Sequence, residues 1–197
     1  TTTKDILYDL ISFKYQTKAT TGNHNTILGV CQDILRLPLN TQYFIVEIGA
    51  YYPGDIAKVC KIIKPKFGIV TAIGPMHLER FGTIENILKT KMELPQIIDK
   101  NGKIYLPDDI QQKIFHIRLK SKNTMFFKNI NQVYQHVCQQ LGINNETYNK
   151  IINSHSASDH RLQISKNGTI TIIDDSYNSN PVGFKLALDT LKNIKSE

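Results

Sequence analysis

Phe44-Ile45-Val46-Glu47-Ile48-Gly49-Ala50 decides the fold: an apolar run that reads as a buried strand and ends on a carboxylate. The pattern recurs downstream. Phe67-Gly68-Ile69-Val70 reads as another buried strand, and the following loop, Gly74-Pro75-Met76-His77-Leu78-Glu79, carries an imidazole. Short apolar runs bounded by turn residues suit strands covered on both faces. Working outward, strands are expected at 15–20, 41–48, 67–71, 103–106 and 123–127. Helices are expected between them. Ile6, Leu7, Leu10 and Ile11 have helical spacing, and 27–37 reads as a short helix stopped before Pro38. Ile56, Val59, Cys60 and Ile63 line one face of a helix entered through Pro53 and left at Lys64-Pro65. Ile84, Ile87, Leu88, Leu94 and Ile98 predict one long helix, kinked at Pro95. Further helices are expected at 108–116, 131–141 and 145–153. Strands alternating with helices at this rhythm predict an α/β fold with a mostly parallel sheet flanked by helices.

From Arg161 the texture changes. A strand pair is expected around Lys166-Asn167-Gly168, and Asn180-Pro181 opens a last helix. A domain boundary is placed near 158–160, giving domains 1–159 and 160–197.

Composition narrows the function. The formal charge is +7, but Lys is dispersed and no basic block occurs. Nucleic-acid binders concentrate that charge on one face, and phosphate-bearing small molecules suit this distribution at least as well. No apolar run approaches the ~20 residues of a membrane span, and no secretory signal is visible. Cys31, Cys60 and Cys138 are too scattered for a metal-ligand spacing or a disulfide framework. A reducing cytoplasm is the expected setting. The chain opens Thr1-Thr2-Thr3-Lys4 without an initiator Met, and reads as a piece of a longer protein.

In open parallel sheets, ligands sit outside the carboxyl ends of the strands. Glu47 is expected at such an end, where a carboxylate can hold Mg²⁺. A salt-bridge partner is the other reading. His77 alone is ambiguous, since most loop histidines are solvated and imidazole suits Mn²⁺ or Zn²⁺ better than Mg²⁺. Lys91 continues the apolar stripe of its helix. Either its stem is buried and its head snorkels, or a desolvated amine faces a nucleotide or metal. A neutral amine of that kind can take up carbon dioxide as a carbamate. His160-Arg161-Leu162 and Asp174-Asp175-Ser176-Tyr177-Asn178-Ser179-Asn180-Pro181 offer an arginine for phosphate or ribose, a carboxylate for a ribose hydroxyl and a ring for a base. A turn followed by an Asn-Pro helix start explains the second segment equally well.

Taken together, these segments, with Thr1-Thr2-Thr3-Lys4, Thr21-Gly22-Asn23-His24-Asn25, Gly82 after Phe81, and Lys91-Met92-Glu93-Leu94, resemble the Mur ligase family in its MurF-like branch. Each segment is weak alone; their order over nearly the whole chain is specific. The resemblance implies a three-domain ligase, with this chain carrying most of the central, P-loop-type domain and the start of the C-terminal α/β domain. The first central strand, the P-loop, the N-terminal domain and most of the C-terminal domain would be missing partners within the same enzyme, and the fragment alone is expected to be inactive. The implied chemistry is ATP-dependent amide formation through an acyl phosphate, joining D-alanyl-D-alanine to a UDP-linked muramyl tripeptide. By the same resemblance, Thr1, Glu47 and His77 would hold Mg²⁺ or Mn²⁺. Lys91 would be the carbamylated lysine, and catalysis would rest on Lys91, His77 and Glu47. Thr1, Arg161, Asp175, Tyr177 and Asn178 would meet the nucleotide, and Thr21, Asn23 and Asn25 the UDP-linked substrate. Two departures stand out. Gln135 is nearest to the position where the family reads adenine with Asn, and Thr26 replaces a usual Asn. A non-catalytic nucleotide-binding scaffold, or a related ligase acting on another acid, are the competing readings.

Overall fold

The structure, a computed structural model, describes residues 1–75, 78–155, 162–176 and 181–194, with the side chains of Pro181 and Val182 outside the description. Thr1 and Thr3–Ile152 form one compact unit and Asn153–Glu197 a second.

The first unit holds α1 (Thr2–Ser12), β1 (Thr17–Ala19), α2 (Ile27–Leu35), β2 (Tyr43–Ile45), α3 (Asp55–Ile63), β3 (Phe67–Ile69), α4 (Leu78–Phe81), α5 (Ile84–Lys91), α6 (Glu93–Ile97), β4 (Lys103–Pro107), β5 (Asn123–Phe127), α7 (Ile130–Leu141) and α8 (Asn145–Ser154). All described ladders here are parallel: β1 with β2, and β3-β4-β5 in that order. Parallel pairing follows from the helical crossovers between successive strands. On β4, Ile104 and Leu106 enter one apolar cluster with Leu88, Met92 and Ile98. Tyr105, between them, enters another with Phe127 and Val133 of β5 and α7. This period-2 alternation in a strand buried from Ile104 to Pro107 places α5 and α6 over one face and α7 over the other. Leu7, Leu10 and Ile11 of α1 pack with Tyr134 and Cys138 of α7, and Tyr43 and Ile45 of β2 lean on the same cluster. Gly68 lets α6 approach closely, because a Cβ there would collide with Ile98 and crowd Leu94 at 3.1 Å.

Two expectations are corrected. The helix predicted over 84–98 is two helices broken at Met92, not one kinked at Pro95. Pro95 has no N–H for the carbonyl four residues back and clashes with it, and that carbonyl belongs to Lys91. The break therefore falls one turn before the proline. The helix expected over 108–116 is a 3-10 segment, Asp108–Ile114, whose N-cap Pro107 offers no side-chain cap. Ladder pairing of the early strands is also shorter than their apolar runs: β2 ends at Ile45 rather than 48.

In the second unit, β6 (Gln163–Asn167) and β7 (Ile170–Asp174) pair antiparallel around Gly168, whose φ of 61° suits the tight turn. Helix α9 (Pro181–Asn193) follows. No helix among the described residues is long and apolar enough to cross a membrane.

Candidate functional site

Glu47 sits two residues beyond the last paired residue of β2, at the carboxyl end of a parallel strand, as expected. Its backbone N–H donates to Thr20 Oγ1 at 3.1 Å, which fixes it to the end of β1. Thr1 Oγ1 donates to Glu47 Oε1 at 2.9 Å. The other oxygen, Oε2, is buried and accepts no hydrogen bond, with the Thr1 nitrogen at 3.3 Å and the Lys4 ammonium at 3.9 Å. The carboxylate thus lies at the N-terminal end of α1, where helix dipoles favour negative charge.

Lys4 is the residue that sequence reasoning missed. It is only 7% exposed, and Nζ donates to the carbonyls of Thr20 at 2.9 Å and Gly22 at 3.1 Å. A buried ammonium requires such partners. Its signal was present in the sequence: Lys4 precedes Leu7 and Ile11 at helical spacing, on the face that turns inward.

The loop of Thr21, Asn23 and Asn25 is held from below by Asp33 of α2. Asp33 accepts from Thr21 N–H at 2.9 Å and Thr21 Oγ1 at 3.1 Å, and lies 3.2 Å from His24 Nδ1. Burial pushes the Asp33 carboxyl pKa up, but the Thr21 and His24 donors outweigh it and hold it below the ordinary value. Asn25 O accepts from Gly49 N–H at 2.8 Å, and a Cβ on Gly49 would meet Asn25 Cγ at 2.9 Å. The glycine after Glu47 is therefore a close-approach position that brings this loop beside the carboxylate. Thr26, where the family resemblance expects Asn, caps α2 by accepting from Gly29 N–H at 3.3 Å.

Lys91 closes α5 and is half-buried. Its Nζ donates to Ala72 O at 2.6 Å, just past β3. Desolvation lowers the pKa of its amine. The Glu47 and Lys91 segments are tied together by two bridges. Glu93 Oε1 and Oε2 accept from the N–H groups of Gly54 at 2.6 Å and Ala57 at 2.9 Å, on the loop and helix that follow Glu47. Arg80 of α4 lies over the Tyr51 ring at 4.7 Å, a cation–π contact that ties the segment after His77 to the same loop.

At the carboxyl ends of β3, β4 and β5 is a cavity of about 460 Å³, lined among others by Ala72, Ile73, Asp108, Phe127 and Ile130. Gln135 is exposed on α7 and is not among the lining residues. Asp175 accepts from Leu162 N–H at 3.1 Å, the donor residue having a φ of 50°. His77, Arg161, Tyr177 and Asn178 lie outside the described residues. Among the described residues no group of three His, Cys, Asp or Glu could hold a metal. The oxygens of Thr1 and Glu47, with the orphaned Oε2, are nevertheless the hard donors that Mg²⁺ prefers.

A family model of the Mur ligase middle domain matches residues 1–173. The UDP-N-acetylmuramoyl-tripeptide–D-alanyl-D-alanine ligase of Borreliella burgdorferi is 33% identical over 122 residues, 62% of this chain and 26% of that one. The ligase of the same name from Mycobacterium tuberculosis H37Rv is 26% identical over 236 residues, 97% of this chain and 46% of that one. MurF from Acinetobacter baumannii superposes with a TM-score of 0.86 at 25% identity, covering 99% of this chain and 52% of that one. MurF from Thermotoga maritima, solved in complex with ADP, gives 0.84 at 26%, covering 98% and 55%. The chain thus spans between a quarter and about half the length of these relatives.

Proposed function

This chain belongs to the Mur ligase family, and we propose that it is the nucleotide-handling middle of a ligase that uses ATP to join D-alanyl-D-alanine to a UDP-linked muramyl tripeptide. The names and folds of its relatives support that substrate pair. The proposed division is a central domain over 1–159 and the start of a C-terminal domain over 160–197.

The observation that carries the reading is the corner where Thr1, Lys4 and Glu47 meet at the start of α1. A helix N-terminus and a hard-oxygen pair are suited to phosphate and its counter-ion. In the proposed reaction, an oxygen of the tripeptide's terminal carboxylate attacks the γ-phosphorus, and the bond to the ADP oxygen breaks. The amine of D-alanyl-D-alanine then attacks the acyl carbon, the carbon–oxygen bond to phosphate breaks, and the nitrogen releases a proton. Thr1, Glu47 and His77 would hold Mg²⁺ or Mn²⁺, which when bound neutralises phosphate charge. Lys4 keeps the carboxylate and the Thr21–Asn25 loop in one position, and Thr21, Asn23 and Asn25 would orient the UDP-linked substrate. Lys91, with its amine pKa lowered by burial, retains more of the neutral form that carbamylation requires. Arg161, Asp175, Tyr177, Asn178 and Gln135 are the nucleotide contacts that the family resemblance proposes. Catalysis of this kind rests on positioning and charge neutralisation.

The test is phosphate release by the intact protein containing this segment. Release is expected only with ATP, UDP-N-acetylmuramoyl tripeptide and D-alanyl-D-alanine together. Turnover without both acceptor and amine, or with a folate in place of the muramyl peptide, overturns the substrate assignment.

A further inference from the structure

Helix α3 begins without a cap of its own. Its N-cap is Gly54, with a φ of 91°, and no side chain there accepts from the first turn. Asp55, the next residue, is turned back onto the loop, where it accepts from Tyr51 and Tyr52 N–H at 3.1 and 2.9 Å. The unpaired N–H groups of a helix start need acceptors. Two of them find acceptors on Glu93, 39 and 36 residues away, where one oxygen takes Gly54 N–H and the other Ala57 N–H. Both bonds are charge-assisted, and the carboxylate also complements the helix dipole.

The position of Glu93 in the chain gives this cap its significance. Pro95 breaks the long apolar helix, so Lys91 ends α5 and Glu93 begins α6, with Met92 fully buried between them. Lys91 and Glu93 therefore flank one rigid joint. The other end of the tie is the loop that leaves Glu47, which is pinned to Asn25 through Gly49 and lies under Arg80 at Tyr51. Gly54 has no side chain to cap α3, and its φ of 91° would strain any other residue placed there. The chain instead takes the cap from the joint that carries the lysine.

We propose that Glu93 is a positioning residue, whose two-pronged grip on the start of α3 holds the Lys91 joint and the loop after Glu47 in one register. This role rests on the ligase reading for its catalytic consequence, but the mechanical coupling does not.

The test uses Glu93→Ala and Glu93→Gln, the latter keeping one acceptor. In the intact ligase, Glu93→Ala is expected to lower kcat about 10²-fold, the scale of an ångström-sized misplacement. KM for ATP should stay within about threefold, and Glu93→Gln should recover part of kcat. In the same intact protein, hydrogen exchange is expected to rise in Glu93→Ala both at 54–58 and across 88–97, with Glu93→Gln between it and the parent. Faster exchange confined to 54–58 makes Glu93 a simple helix cap and overturns the proposal, as does unchanged kcat in an active enzyme. Coupled exchange in a protein with no ligase turnover upholds the tie and discards the ligase reading instead.

Discussion

The corner at Glu47 and the corner at Lys91 both lie past the carboxyl ends of parallel strands, yet they are built in opposite ways. At Glu47, charge is met by charge: the Thr1 hydroxyl and the buried Lys4 ammonium face one carboxylate, and two backbone carbonyls hold the ammonium. At Lys91 the amine is desolvated, and among the described residues Nζ donates to the carbonyl of Ala72. A compensated group holds its place. A desolvated one is pushed toward its neutral, reactive form. The difference supports reading one corner as an electrostatic frame and the other as a desolvated amine.

The largest effect should come from breaking the frame. In the intact enzyme, Glu47→Gln is expected to cut turnover by roughly 10²–10³, the usual cost of losing one preorganised electrostatic partner. Far-UV circular dichroism should be unchanged. Lys4→Met removes the donor to Thr20 and Gly22 and should destabilise the chain by about 1–3 kcal/mol. The double variant then sharpens the comparison. If Lys4 and Glu47 act as one unit, the melting temperature of the pair will exceed the value obtained by adding the two single losses. Strict additivity would mean that the 3.9 Å approach contributes nothing to stability.

Lys91→Met probes the opposite corner. The amine's folded pKa lies below its unfolded value, so the unfolded chain binds the proton more tightly. Stability contributed at this position must therefore rise as pH climbs from the folded pKa toward the unfolded value of about 10.4. At pH 7 the variant is expected to melt no lower than the parent, because it no longer buries an ammonium. That relative advantage should shrink steadily toward pH 10. A gap between the two melting temperatures that is flat with pH would show a solvated, snorkelling lysine. Ligase turnover should be lost in Lys91→Met, and high bicarbonate should not restore it.

Much of this contrast was legible in the sequence, and its limits have physical causes. Glu47 at a strand end follows from an apolar run closed by a carboxylate, and Lys91 on an apolar stripe follows from helical spacing. The break at Met92 was misplaced because a proline acts on the carbonyl four residues earlier, not at its own position. Lys4 has the helical spacing of an inward position, yet a buried lysine reads like a surface lysine until its acceptors are known. Those acceptors are backbone carbonyls, 16 and 18 residues away, which carry no sequence signature. Glu93 was invisible as a cap for the same reason: its partners are N–H groups.

Asp33 gives the smallest and most local test, because it lies outside both corners and supports only the loop beside Glu47. Its carboxyl is depressed in the folded chain, so its contribution is present above the unfolded pKa of about 3.9 and fades as pH falls through the folded value. Asp33→Asn keeps one acceptor for Thr21 but loses the charge that faces His24. The expected cost is about 1 kcal/mol at pH 7, read as a shift in the urea midpoint. Once pH falls below the folded pKa the parent carboxyl is itself protonated, and the two midpoints should converge. Persistence of the full difference in acid would mean that Asp33 acts through shape rather than charge. In that case the loop of Thr21, Asn23 and Asn25 is held by packing on α2, and the electrostatic frame ends at Lys4.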